Sequence, residues 1–263
     1  MFRLSIITIT FNSEKTVEET FKSVLCQKHR PLQYVVVDGL STDGTVGLIR
    51  KYEPEFKSEG IEFSFVSEKD RGISDAFNKG IGLADGDLIG IINSDDKLCG
   101  HAAEVLQEAY DINVDVYYGK CIVFNNGNDK QYIVEPKDNL RLLYKCMPLC
   151  HPAVFVKKDA YKKYGLFDIE LRYCMDRELL LRFFDAGARF LHIDRELAYY
   201  REGGVNQVNY KKTLKEEAIV SVMYGMNPVR AEIFRHYKYL RFLAWRFIQK
   251  TGCEKFIHKP YGE

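Results

Sequence analysis

The first hundred residues alternate between short apolar runs and segments with helical spacing. Leu4 to Thr10 is β-branched and apolar, which predicts a strand. Asn12-Ser13 then offers a helix cap. Val17, Phe21, Val24 and Leu25 mark the helix that follows, which ends before His29-Arg30-Pro31. Tyr34 to Val37 predicts a second buried strand stopping at Asp38-Gly39, and Thr42 or Asp43 caps a helix carrying Val46, Ile49 and Arg50. A third strand, Ile61 to Val66, runs into Ser67-Glu68-Lys69-Asp70-Arg71-Gly72. Ile73, Phe77, Gly80 and Ala84 recur at helical spacing, so that helix packs back toward a sheet. Asp85-Gly86 turns the chain into Leu88 to Ile92, an Ile-rich run that fits a strand buried on both faces and stops at Asn93-Ser94-Asp95-Asp96.

The second half is less regular. Val114 to Phe124 and Gln131 to Val134 alternate like strands around the turn Asn125-Asn126-Gly127-Asn128. Asn139 to Tyr144 predicts a short helix, His151 to Val156 a strand, and Asp159 to Tyr164 a helix closed by Gly165. Leu179, Phe183 and Ala186 share one helical face, ending at Gly187, which puts Asp176 in the first turn or at the cap. The ordinary role of an Asp there is to accept backbone N–H bonds. Near the C-terminus Val229, Ile233, Tyr237, Leu240, Ala244 and Phe247 form a helical stripe expected to pack on the domain. The other side holds Arg230, Arg235, Lys238, Arg241, Arg246 and Lys250 among Phe234, Tyr239, Phe242 and Trp245. Aromatics among cations suit an anionic lipid surface. The competing reading is a solvated basic face whose aromatics meet a loop or a second subunit, as in a homodimer.

The βαβαβαβ rhythm predicts an α/β fold with a doubly wound, mostly parallel sheet and helices on both faces. Such sheets bind ligands at the carboxyl ends of their strands. Asp38, Asp70 and the Asp95-Asp96 pair all fall at that edge. Two adjacent carboxylates repel, and a hard divalent cation bridging to substrate phosphate would relieve them. The first loop, Thr10-Phe11-Asn12-Ser13-Glu14, has no glycine, which excludes both the dinucleotide fingerprint and a P-loop and makes Mn²⁺ or Mg²⁺ the expected neutraliser.

Composition narrows the classes further. With 263 residues, 46% hydrophobic and 29% charged at a formal net charge of +1, the chain has material for a full core but no global electrostatic case for nucleic acid. Seven cysteines without regular spacing, and a start that runs directly into a strand, indicate a reducing, cytoplasmic setting. Cys146, Cys150 and His151 lack a second ligand pair that would complete a zinc site. No apolar run approaches the ~18 residues of a membrane span.

Taken together, several stretches resemble glycosyltransferase family 2 enzymes of GT-A fold, of the bacterial polysaccharide-assembly type. They are Ser5 to Asn12, Val36 to Thr45, Glu68 to Gly80, Ile92 to Asp96, His151 to Phe155, Gly165 to Asp168 and Met175 to Arg182, in an order covering about residues 3 to 206. The resemblance implies a GT-A domain over 1–206, with a nucleotide-sugar half at 1–98 and an acceptor half at 99–206, plus a C-terminal helical appendage at 207–263. It implies that Thr10, Asn12, Glu14, Asp38 and Asp70 line the nucleotide pocket, with Asp43, Arg71 and Asp75 near it. Asp95 would hold ribose or sugar hydroxyls, Asp96 the metal, and Asp176 would be the catalytic base. His151 and Arg201 would face acceptor or phosphate. Tyr200 to Val205 resembles a recurrent loop of the family after the last strand, in which Asn206 stands where Ser is frequent, and Asn93-Ser94 replaces a leading Asp.

The implied function is inverting, metal-dependent transfer from a nucleotide-sugar, UDP-linked by family habit, to a saccharide or lipid-linked acceptor in cell-surface polysaccharide synthesis. A cation stabilises the diphosphate leaving group, and a carboxylate takes the proton of an alcohol too weakly acidic to attack unaided. Beside a partly dry pocket Asp176 is expected to titrate high. The implied location is cytoplasmic, peripheral on the inner face of the inner membrane. The alternatives are a nucleotidyltransferase, which would normally show a basic glycine-rich loop, and a binding module without catalysis.

Overall fold

The structure is a computed structural model that describes residues 2–30, 32–125, 128–204 and 208–251. Its first half follows the predicted rhythm. Strands β1 (Leu4–Thr10), β2 (Leu32–Asp38), β3 (Ile61–Ser67) and β4 (Leu88–Ile91) alternate with helices α1 (Val17–Leu25), α2 (Thr45–Ser58) and α3 (Ile73–Leu83). β1, β2 and β4 have almost no exposed residue, as expected where helices cover both faces. Pairing is parallel and flush: Thr10 lies opposite Asp38, Asp38 opposite Ser67, and Ile7 opposite Ile91. That register alone brings the strand ends to one rim.

The second half extends the sheet. After β5 (Lys97–Leu98) and α4 (Ala102–Ala109) come β6 (Val116–Asn125), β7 (Asn128–Val134), β8 (Val154–Lys157) and β9 (Phe190–Arg201). The order is β3-β2-β1-β4-β8-β6-β9-β5, with β7 paired to β6. β8 runs antiparallel to both β4 and β6, while β6 and β9 are parallel. Two close approaches pin the layers. A Cβ at Gly80 would sit 2.4 Å from Ile7 Cγ2, and one at Gly90 2.4 Å from Phe155 Cε1. The buried side chains divide into two apolar clusters. Helices α5 (Lys158–Tyr164), α6 (Met175–Asp185), α7 (Tyr210–Met223) and α8 (Pro228–Thr251) complete the fold.

Four expectations change. Asn12-Ser13 does not cap α1; the helix starts after Thr16, and Ser13 O closes the preceding turn by accepting from the N–H of Thr16 and Val17, each at 3.0 Å. His151 to Ala153 is a 3₁₀ turn rather than strand, consistent with Pro152, which fixes φ and has no N–H for a ladder. Gly44 is the residue preceding α2, although Asp43 Oδ1 still accepts from Thr45 N at 3.0 Å and does the work of a cap. The apolar stripe of α8 does not pack on the domain: Val229, Ile233, Leu240 and Phe247 are 64–69% exposed. The opposite face packs instead. Ala231 is buried, Lys238 pairs with Glu217 at 2.8 Å, and the Phe242 ring meets Tyr210 at 4.4 Å. Long cationic stems and aromatic rings cover apolar surface as well as an aliphatic stripe does. Asn126, Gly127, Val205, Asn206 and the last twelve residues lie outside the described residues, so their predicted turn, loop and tail roles are not placed.

Candidate active site

The rim formed by β1, β2 and β3 is organised around Asp38, which is fully buried. Its Oδ1 accepts from Thr10 Oγ1 at 2.9 Å and Ser41 Oγ at 2.5 Å; its Oδ2 accepts from Ser41 N at 3.0 Å and Ser67 Oγ at 2.7 Å. Burial opposes ionisation, but these bonds outweigh it and hold the carboxyl below its ordinary pKa. The first loop is tied to the second in the same way. Asn12, at φ +50°, accepts from Thr42 N through Oδ1 and donates its own N–H to Ser41 Oγ. Glu14 accepts from Gly44 N at 3.0 Å. Asp43 is held below its ordinary pKa by the Thr45 hydroxyl and backbone.

Asp70 stands beside Gly39, where a Cβ would lie 2.5 Å from its Oδ2, and it accepts from Gly72 N at 2.9 Å. Any side chain at residue 39 would push Asp70 out of place. Arg71 and Asp75 pair with each other at 3.4 Å on the exposed turn into α3. Thr10, Asn12, Glu14, Asp38 and Asp70 are therefore gathered around three adjacent strand ends, with Arg71 and Asp75 at the outer margin.

Asp95 and Asp96 follow β4. Asp96 is buried; its Oδ1 accepts from the backbone N–H of Arg201 at 2.9 Å and its Oδ2 from Asn93 Nδ2 at 3.1 Å. Thr20 Oγ1 donates to Asp96 O at 2.7 Å, fixing the turn from beneath. Burial, and then the charge of Asp95, raise the pKa of Asp96; burial raises that of Asp95. The Arg201 guanidinium, 8% exposed, is engaged by the chain itself. Its Nε donates to Asp95 O at 2.9 Å, it pairs with Glu19 at 3.1 Å, and it stacks 4.6 Å over Phe124. The end of β9 thus braces the acidic turn from the other half of the chain.

Asp176 lies in the first turn of α6, half-buried, with Oδ1 accepting from Arg177 N at 2.7 Å. Burial raises its pKa against the opposing influence of His151. That histidine rests between Phe77, 5.6 Å away, and Phe167, and burial lowers its pKa while Asp176 pulls it back. Loop 165–174 is hooked onto α3, since Asn78 Nδ2 donates to Phe167 O at 2.9 Å and Ser74 Oγ to Leu171 O at 2.7 Å. Tyr200, half-buried on β9, lies within electrostatic reach of both acidic groups. Its phenol is pushed up by burial and then by the charges of Asp96, Cys150, Asp95 and Asp176. The carboxylates of both halves therefore act on one side chain.

Asn93 and Tyr200 entered the sequence reading only as members of stretches that carry the family resemblance, with no role of their own. Thr20 and Glu19 had no advance signal. The donor set suits a hard divalent cation in part. Asp95 and Asp96 offer adjacent carboxylates whose pKa values are raised by burial and, at Asp96, by the neighbouring charge of Asp95, and cations of this kind take remaining ligands from phosphate and water. Among the described residues no three His, Cys, Asp or Glu side chains form a cage by themselves.

Comparison with known proteins agrees with this geometry. Residues 5–165 match the family model described as Glycosyl transferase family 2. An uncharacterised glycosyltransferase of Mycobacterium tuberculosis is 30% identical over 189 residues, covering 68% of each chain. A PGL/p-HBAD biosynthesis glycosyltransferase of Mycobacterium bovis is 26% identical over 234 residues, 86% of this chain and 87% of the relative. In structure, a mannosyltransferase from Pyrobaculum calidifontis in complex with GDP-Man and Mn²⁺ superposes over 99% of this chain and 82% of its own, with a TM-score of 0.68 at 18% identity. That likeness establishes the fold.

Proposed function

The chain belongs to glycosyl transferase family 2, and from that premise we propose that it moves a sugar, with inversion, from a UDP-linked donor to a hydroxyl of a saccharide or lipid-linked acceptor in cell-surface glycan synthesis. It is a glycosyltransferase; the nucleotidyltransferase alternative gives way to the family assignment. The observation that supports the finer reading is that Asp95, Asp96 and Asp176 all lie within electrostatic reach of Tyr200.

In this reading the first three strand ends bind the nucleotide, with Asp70 set beside the Gly39 backbone. Asp95 would hold ribose or sugar hydroxyls, and Asp96 would hold Mn²⁺ or Mg²⁺. The bound cation supplies charge stabilisation to the departing diphosphate. Asp176 accepts the proton of the acceptor hydroxyl as its oxygen bonds to the anomeric carbon; the bond to the diphosphate breaks and its electron pair leaves with the nucleotide. A carboxyl raised by burial is a stronger base than a solvated one, which suits that task. The M. bovis relative, named for PGL/p-HBAD biosynthesis, and the Mn²⁺ in the mannosyltransferase complex both favour this assignment.

We place the reaction on the cytoplasmic face of a membrane, with the exposed stripe of α8 against anionic lipid. No helix among the described residues is long and apolar enough to cross a membrane, so the contact would be peripheral.

The test is turnover. A panel of UDP-, GDP- and dTDP-sugars with Mn²⁺ and simple saccharide acceptors should show nucleotide release with a UDP-sugar and none without metal. Tight donor binding without release on every acceptor would overturn the catalytic reading. Flotation with phosphatidylglycerol vesicles at low salt tests the membrane contact, and a sedimenting dimer that ignores vesicles would assign the stripe to a second copy.

A further inference from the structure

Asp176 occupies a place where an Asp normally serves the helix, yet the amides just ahead of it are already taken. Glu216, half-buried on α7, reaches across to the turn that leads into α6. Its Oε1 accepts from Arg172 N at 2.9 Å, and its Oε2 from Tyr173 N at 2.5 Å and Cys174 N at 2.6 Å. One carboxylate thus satisfies three consecutive backbone donors at the positive end of the helix dipole. The same helix grips the next turn. Arg177, 1% exposed, donates through Nη1 to Glu217 O at 2.9 Å and through Nη2 to Ser221 Oγ at 2.8 Å, while its Nε reaches Leu143 O. Tyr224, just beyond α7, donates to Glu178 Oε1 at 2.7 Å. Asp176 is flanked on both sides by residues bound to α7.

We propose that Glu216 is a positioning residue for the reaction: it holds the three amides of the turn into α6 from another element, so that Asp176, bonded to Arg177 N through Oδ1, is not drawn toward them and keeps its carboxylate aimed at the acceptor. Helix α7 is then part of the catalytic apparatus rather than a detachable appendage. Without Glu216, three amides lose their acceptor, and Asp176, two residues beyond Cys174, is drawn toward them. Hydrogen bonds to an ionised carboxylate make it a weaker base. The groups facing Asp176 are His151 ahead of β8, Tyr200 on β9, and Cys174 and Arg177 on its own segment. Of these, Arg177 is itself bound to α7.

The proposal rests on Asp176 being the base, which Asp176→Asn tests separately: if that variant keeps full kcat, the functional reading fails before this one is reached. In the full chain, Glu216→Ala should lower kcat on the order of 10²-fold, the cost of a small displacement of a reacting group. UDP and Mn²⁺ affinity should stay within about twofold, as expected for loss of an interaction felt only in the transition state. The acid limb of the pH–kcat profile should move to lower pH. In ¹³C-carboxylate NMR of the metal-free protein, the Asp176 resonance, assigned by difference from Asp176→Asn, should titrate lower in Glu216→Ala than in the parent. Glu216→Gln keeps acceptor oxygen on the side chain and should recover most of kcat. If Glu216→Ala does not fold, Glu216→Asp, one methylene short, should fall between parent and Asp176→Asn. An unmoved Asp176 titration, or equal kcat losses in the Gln and Ala variants, would overturn the proposal.

Discussion

Two buried carboxylates on one rim, Asp38 and Asp96, have opposite fates. Asp38 receives four hydrogen bonds and titrates below its ordinary value despite burial. Asp96 is equally hidden, receives two, and sits against Asp95, so burial and like charge push it up. A saturated carboxylate is a structural rivet. An undersupplied one has capacity left, and its unfavourable ionisation is what a cation would relieve. Asp176 belongs with Asp96: an amide bond from Arg177, burial against it, and a raised pKa.

Substitution tests that contrast. The largest effect is expected at Asp176, where Asn should cut kcat about 10³-fold, within the range a general base supplies. UDP affinity should hold, and a matching loss of donor binding would show that Asp176 serves the donor instead.

Asp96→Asn should come next, with activity reduced by about 10²-fold through lost charge stabilisation. It should also flatten a pH trend. Because the folded-state pKa of Asp96 is raised, its contribution to stability is complete below the ordinary carboxylate value and is lost as pH rises through the raised one. The metal-free parent should therefore melt lower toward alkaline pH. Mn²⁺ should stabilise it more there than in acid, and Asp96→Asn should flatten both trends. Asp38 carries the opposite sign, its stabilisation being present above the ordinary value and lost as pH falls through the depressed one.

Asp38→Ala should act on stability rather than chemistry. It strands the hydroxyls of Thr10, Ser41 and Ser67, and should cost about 2–4 kcal/mol in denaturant unfolding, given what unsatisfied partners of a charged group cost. Unchanged stability would mean that the rivet is superfluous. The smallest change belongs to the exposed face of α8. Ile233→Ser, at a site 65% exposed, should alter stability by less than about 0.5 kcal/mol while weakening vesicle binding. A marked loss of stability would mean that the stripe is covered by protein.

Much of this was legible in residue order. Strand–helix alternation with apolar runs of the right length fixes a parallel sheet, and flush parallel register then carries Asp38, Asp70 and Asp95-Asp96 to one edge, because each strand end is set locally. His151 and Asp176 were readable only through their resemblance to a family motif. Nothing in the spacing says that burial makes them neighbours. The α8 stripe shows where periodicity stops informing: it marks an apolar face, but with aromatics and long cationic stems on both sides it does not say which face is covered.

By itself the sequence determined the α/β layering, the ligand edge and the family, since these depend on local periodicity and on motifs with contiguous residues. Tertiary structure decided which carboxylates are satisfied and which are left wanting. Asp96 meets the amide of a residue 105 positions away, and the turn before Asp176 is bonded by a glutamate 42 positions beyond Cys174. Hydrogen-bond supply in a low-dielectric interior is a property of what folds alongside a group, and no linear pattern records it.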